Sequence, residues 1–143
     1  MSSMRRSPRW ITALLVALAG CGTRSATVET GLTGTAWVLE DLTGAGVVER
    51  GRATLEFDEA GRASGKGSCN RYSGPVTLAG ESISFGPLIS TKMACVEDAL
   101  TAQEGRFLEA LGAAERYVVD GSELRIYVRG NPAPLRFSRA PPP

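Results

Sequence analysis

Gly65-Lys66-Gly67-Ser68-Cys69-Asn70-Arg71-Tyr72-Ser73-Gly74 sets a corner into this chain, and Thr91-Lys92-Met93-Ala94-Cys95 answers it further on. Three glycines and an asparagine in so short a run demand backbone that larger side chains resist, with Cys69 at the centre of the turn. Cys69 and Cys95 stand 26 positions apart, in segments flanking one predicted hairpin. In an oxidising compartment the favoured reading is a structural disulfide, which would stabilise a small domain by roughly 3.5 kcal/mol in the chain-entropy picture. A redox-active thiol pair and two separate buried thiols are the alternatives. Against the redox pair stand the lack of a C-x-x-C arrangement and of any histidine to lower a thiol pKa.

The 143 residues, 43% hydrophobic and 22% charged, have the make-up of one globular domain. Histidine is absent, which removes the commonest general base, the Ser-His-Asp and Cys-His arrangements and the usual zinc site. The net charge of +1 includes Arg5, Arg6 and Arg9, which lie in a segment expected to be removed. Taking those three from 16 basic residues leaves 13 against 15 acidic, a balance of about −2. Such a body, with Lys66 and Lys92 its only lysines, is expected not to bind nucleic acid. The run from Ala60 to Ser68 approaches a phosphate-binding loop but lacks a glycine at Ala60 and a Ser or Thr at Gly67. Asp58 and Glu59 read as an exposed pair on a turn rather than a general acid and base.

Met1 to Arg9 is basic, and Trp10 to Ala19 is apolar except for Thr12, the layout of a secretory signal peptide over residues 1–20. Its apolar part falls well short of the roughly 20 residues that span a bilayer. It ends in Leu18-Ala19-Gly20-Cys21, which resembles the lipobox of bacterial lipoproteins, where the cysteine is lipidated and becomes the first residue. The rival, Ala17-Leu18-Ala19, would let ordinary signal peptidase cut before Gly20 and leave a free thiol. Parity favours lipidation, because it uses Cys21 and leaves Cys69 and Cys95 as a pair. Acyl chains on Cys21 would anchor the protein to the membrane without spanning it. Gly22, rather than Asp, points to the outer membrane, facing the periplasm. Arg5-Arg6 is not continued as a twin-arginine signal by Ser7-Pro8-Arg9.

Residues 21–33 then read as the lipidated cysteine and a flexible tether. Trp37 and Leu39 mark a first strand; Ala53, Leu55 and Phe57 a second; Arg62 to Ser68 a third, poor in large side chains, where Gly65 and Gly67 imply a bulge or another backbone close by. Val76 and Leu78, a turn at Gly80-Glu81-Ser82, and Ile83 and Phe85 predict a hairpin. From Val96 to Ala114 the period becomes helical, with Val96, Leu100, Phe107, Leu108 and Leu111 on one stripe and the charges, Glu104 among them, on a solvated face. Tyr117 to Val119 and Leu124 to Val128 predict a second hairpin about Asp120-Gly121, and Leu135 and Phe137 a last strand. Residues 139–143 read as a disordered proline tail.

The order Trp37, glycine-rich strand, Gly67-Ser68-Cys69-Asn70-Arg71-Tyr72, Thr91-Lys92-Met93-Ala94-Cys95, helix with Phe107 and Leu111, and Gly121-centred hairpin resembles the META-domain family of HslJ-like envelope proteins. The resemblance runs over residues 34–138. Ser68, between Gly67 and Cys69, departs from a glycine that the family leads one to expect nearby. What the resemblance implies is an α+β fold, a strongly curved antiparallel β-sheet, half-barrel like, with one main amphipathic helix packed against it. It also implies association with heat-shock response, drug tolerance or virulence, with no catalytic residues, metal or cofactor to carry over.

The expectation is a monomeric, non-enzymatic, lipid-anchored envelope module that binds or buffers something under stress, its partner an unknown protein, glycan or lipid. A periplasmic thiol-redox or hydrolytic enzyme using Cys69 or Cys95, and a secreted inhibitor or interaction protein, are the alternatives. Lys66, Asn70, Arg71 and Lys92 are the candidate polar patch; the plainer reading has Asn70 capping its own turn and the bases solvated.

Overall fold

The structure, a computed structural model, describes residues 31–141. The expected leader 1–20, the lipidation of Cys21, the tether up to Thr30, and Pro142 and Pro143 of the tail lie outside the described residues. Nine strands and one helix follow in the order β1 (Thr35–Leu42), β2 (Thr54–Phe57), β3 (Arg62–Lys66), β4 (Arg71–Ala79), β5 (Ser82–Phe85), β6 (Ile89–Ser90), α1 (Asp98–Gly112), β7 (Ala114–Asp120), β8 (Glu123–Val128) and β9 (Leu135–Arg139).

Alternate residues of these strands point to one interior. Trp37 and Leu39, Leu55 and Phe57, Ile83 and Phe85, Leu124 and Ile126, and Leu135 and Phe137 are all buried, while their neighbours face outward or partly so. All pairings are antiparallel, in the order β3-β2-β1-β9-β8-β7-β5-β4, and β4 then pairs β3 in register from Arg62 opposite Pro75 to Lys66 opposite Arg71. That last ladder corrects the expected half-barrel: eight strands close into a complete barrel. The strand that looked too poor in large side chains is where the wall closes. Ala63, Gly65 and Gly74 keep the inner surface thin there, and a side chain at Gly65 would run into the backbone carbonyl of Thr54.

The closest approaches also revise the reading of the corner. Neither Gly65, Gly67 nor Gly74 has a positive φ. They are small because neighbours press on them: a Cβ on Gly67 would lie 2.8 Å from Glu104 Cγ, and one on Gly74 2.6 Å from the Pro87 carbonyl. Left-handed glycine does its work in the hairpin turns, as at Gly80 and Gly121, both with φ of 59°.

The ninth strand is a rim feature. β5 runs beside the second half of β4, breaks at Gly86-Pro87-Leu88, and resumes as β6 beside Tyr72 and Ser73. β7 joins only the first piece, with Arg116 opposite Ser82, so among the described strands the outer edge of β6 has no partner.

α1 lies over the barrel end where β1, β3 and β8 finish. Phe107 and Leu111 are fully buried, and Phe107 meets Tyr72 and Phe137 edge-on at 5.7 and 6.3 Å between ring centres. The helix is shorter than the expected 96–114, and Val96, placed on its buried stripe, precedes it and is 99% exposed. Glu104, placed on the solvated face, is instead buried beside Gln103. At the other barrel end Leu32 is fully buried and the Gly34 N–H bonds the Phe57 carbonyl, so the packed domain starts before the expected boundary at 34. At the tail, Arg139 is in β9 and the Ala140 N–H bonds the Ala36 carbonyl, so the disordered tail does not begin at 139.

Candidate functional site

Under α1, the β3–β4 turn, the segment Thr91–Cys95 and two helix side chains meet. Cys69 and Cys95 are joined, with Cα atoms 5.8 Å apart, a separation within the usual range for a disulfide. The sequence reading of this pair as a disulfide agrees with the structure.

Asn70 is 6% exposed and does not cap its own turn. Its amide nitrogen donates to the Met93 carbonyl at 3.2 Å and to Glu104 Oε1 at 2.8 Å. Its amide oxygen accepts from the Met93 N–H at 2.8 Å and the Thr91 hydroxyl at 3.0 Å. One side chain therefore clamps the second motif of the sequence to the first, next to the disulfide that does the same covalently.

Glu104 holds the turn from the helix side. Its Oε2 accepts the backbone N–H groups of Cys69 and Asn70 at 2.9 and 2.8 Å. Burial pushes this carboxyl upward, but the N–H bonds from Asn70 and Cys69 and the Asn70 amide together hold it below the ordinary carboxylate value. Among the described residues it is in no ion pair, and amide donors hold it. Gln103 works in parallel: it donates to the Gly51 carbonyl at 2.8 Å and the Ser68 hydroxyl at 2.9 Å, and accepts the Val48 N–H at 2.6 Å. Ser68, the departure from the family run, thus supplies a partner for Gln103.

Sequence reasoning missed Glu104 and Gln103, although a signal was present. Both stand three or four positions from Leu100 and from Phe107, on the stripe rather than off it. Nearby, the Tyr72 hydroxyl donates to the Thr54 carbonyl at 2.7 Å, and burial, with the charge of Glu56, raises its pKa well beyond the ordinary tyrosine range.

The other three candidate patch residues stay outside. Lys66 and Arg71 face each other in register across β3 and β4, and Lys92 follows Thr91, whose N–H bonds the Arg71 carbonyl. All three are exposed, and none is in an ion pair among the described residues. The expected patch is therefore three surface cations around a buried asparagine.

The sulfur atoms of Cys69 and Cys95 and the carboxylate of Glu104 lie within 4.8 Å of one another. As bonded, the sulfurs offer no thiolate and the carboxylate already accepts three hydrogen bonds, so this donor set does not fit a metal in its oxidised form. Every buried side-chain nitrogen and oxygen among the described residues has a partner. What the cluster does chemically is fasten two loops and a helix at three depths: covalently, through an amide, and through an anion.

Residues 30–141 match the family model described as META domain. In fold the chain is similar to a protein from Burkholderia xenovorans solved by NMR, with a TM-score of 0.65 and 28% identity over 78% of this chain and 86% of that one. A second NMR structure gives a TM-score of 0.62 at 24% identity, over 76% of this chain and 91% of that one. Among curated proteins, none matches the chain.

Proposed function

The chain belongs to the META domain family, and from that premise we propose that it is a non-enzymatic binding module, lipid-anchored through Cys21 to the outer membrane and facing the periplasm. The observation that carries this reading is the Cys69–Cys95 bond. It uses two of three cysteines and leaves Cys21 as the odd one, at the end of a leader whose last residues, Leu18-Ala19-Gly20, have the lipobox pattern. A disulfide also suits an oxidising compartment.

The commitments of the site support a binding role over a catalytic one. Asn70, Gln103 and Glu104, the groups best placed to do chemistry, are engaged in holding the loops together. Near them Lys66, Arg71 and Lys92, in no ion pair among the described residues, are surface cations suited to recognition. Service under envelope stress is the biological role that we attach to this module.

The test is the intact mass of the protein taken from its native envelope, with free thiols alkylated and no reductant added. The expected species begins at an acylated Cys21 and carries no alkyl group on Cys69 or Cys95. A chain beginning at Gly20 would overturn the anchor, and alkylation of Cys69 and Cys95 would turn the search towards thiol chemistry.

A further inference from the structure

We propose that the free edge of β6, with Ile89, Met93 and Val96 beside it, is a docking strand for an extended segment of another envelope polypeptide that alternates apolar and acidic residues. This deepens the binding role stated above and rests on it only for the location of the partner.

Ile89, Met93 and Val96 are 73%, 64% and 99% exposed, and they are the exposed large hydrophobic residues of the described chain, all within one short segment. Looseness does not explain their exposure. The segment is fastened by the Asn70 amide to Met93 and Thr91, by the Thr91 N–H to Arg71, and by the disulfide at Cys95. Ile89 and Met93 are thus held out in water on backbone tied down beside them, and Val96 follows directly on the disulfide, so less entropy is lost when they are covered.

The backbone beside them is equally ready. Thr91 turns its N–H towards β4, and successive strand residues point in opposite directions, so the N–H and carbonyl of Ser90 face away from the barrel. An added strand would pair there and lay alternate side chains over Ile89 on one face. Between this segment and α1 runs a groove of about 430 Å³, lined on the helix side by Thr101, Glu104, Gly105 and Leu108, with room for a side chain.

Charge selects the partner. Arg71 and Lys92 flank β6 and Lys66 stands opposite Arg71, all without ion pairs among the described residues; the acids on this side lie further along, Glu97 engaged by Arg50 at 3.8 Å, Asp98 exposed at the start of α1, and Glu104 held by the N–H groups of Cys69 and Asn70. The rim is thus locally cationic and complements an acidic segment. A bilayer is the poorer match. A bilayer offers no strand to pair with the Ser90 N–H and carbonyl.

The test is selection of a random dodecapeptide display library on the purified mature protein, followed by affinity measurements on the winners. The expected winners alternate apolar and acidic residues. Their affinity should fall about tenfold or more with Lys92→Glu, with Met93→Ser combined with Val96→Ser, and with alternate N-methylation of the peptide backbone. No enrichment, enrichment of basic peptides, or indifference to N-methylation would overturn the proposal. So would concentration-dependent dimers abolished by Ile89→Ser, which would make β6 a contact between copies, or binding to phosphatidylglycerol vesicles lost with Met93→Ser. Acylation of Cys21 is read separately by mass, so either reading can fail while the other stands.

Discussion

The wall of the barrel and its helix-covered mouth are held by different physics. The wall is repetitive: buried residues recur every second position, ladders run strand to strand, and each contact resembles the next. The mouth is made of single, unlike fastenings: a disulfide, an asparagine that bonds in four directions, and a carboxylate on the helix held by amide donors. Change one residue of the wall and its neighbours share the loss; change one in the mouth and a particular loop goes free.

Phe107 belongs to both regions and tests whether they unfold together. Phe107→Ala is expected to lose about 4 kcal/mol, in one cooperative denaturant transition followed by both tryptophan fluorescence and circular dichroism. Two separated transitions would mean that mouth and wall are independent units. Replacing Cys69 and Cys95 together by serine should lose about 3.5 kcal/mol. The signature to look for is hydrogen exchange: the Asn70 and Met93 amides should lose protection before those of β8 and β9, and uniform loss would break the distinction drawn here.

Glu104→Gln should remove about 2 kcal/mol near neutral pH, because the charge is lost and, with the new oxygen accepting from the N–H groups of Cys69 and Asn70, the new NH2 group faces the donating Asn70 side-chain amide. The pH dependence sharpens this. The folded-state pKa of Glu104 lies below its ordinary value of 4.5, so its contribution is complete above that value and is lost as pH falls through the folded pKa. The native chain should therefore lose stability over that acid window more steeply than the Glu104→Gln variant, and parallel curves would contradict the role assigned to the anion. Val96→Ser, at a side chain 99% exposed, should shift stability by under about 0.5 kcal/mol in the same denaturation measurement.

The same contrast explains what was legible beforehand. Period two announces a strand wherever it occurs, so β1, β2, β8 and β9 and both hairpins could be read from Trp37, Leu55, Leu124 and Phe137. Closure could not, because pairing of β3 with β4 across Gly65 and Gly74 depends on what those residues lack. Glu104 was misread because a charged residue on an amphipathic helix is ordinarily solvated, and nothing local reveals that two backbone N–H groups wait beneath it. The disulfide was legible through parity and compartment, whereas the Asn70 clamp needs distant Thr91 and Met93 to be seen in place. Leu32 reads as tether because Ala26, Val28 and Leu32, scattered among small and polar residues, make too short a run to set a period.

The seating of Leu32 also determines how the domain would bear a load. Directly after it comes β1, an interior strand laddered to β2 on one side and β9 on the other. A pull on the leading segment along the barrel axis would strain both ladders in shear, all rungs at once, instead of peeling one rung after another as it would from a frayed edge. A barrel loaded through that end would yield only by sliding a whole strand past two neighbours.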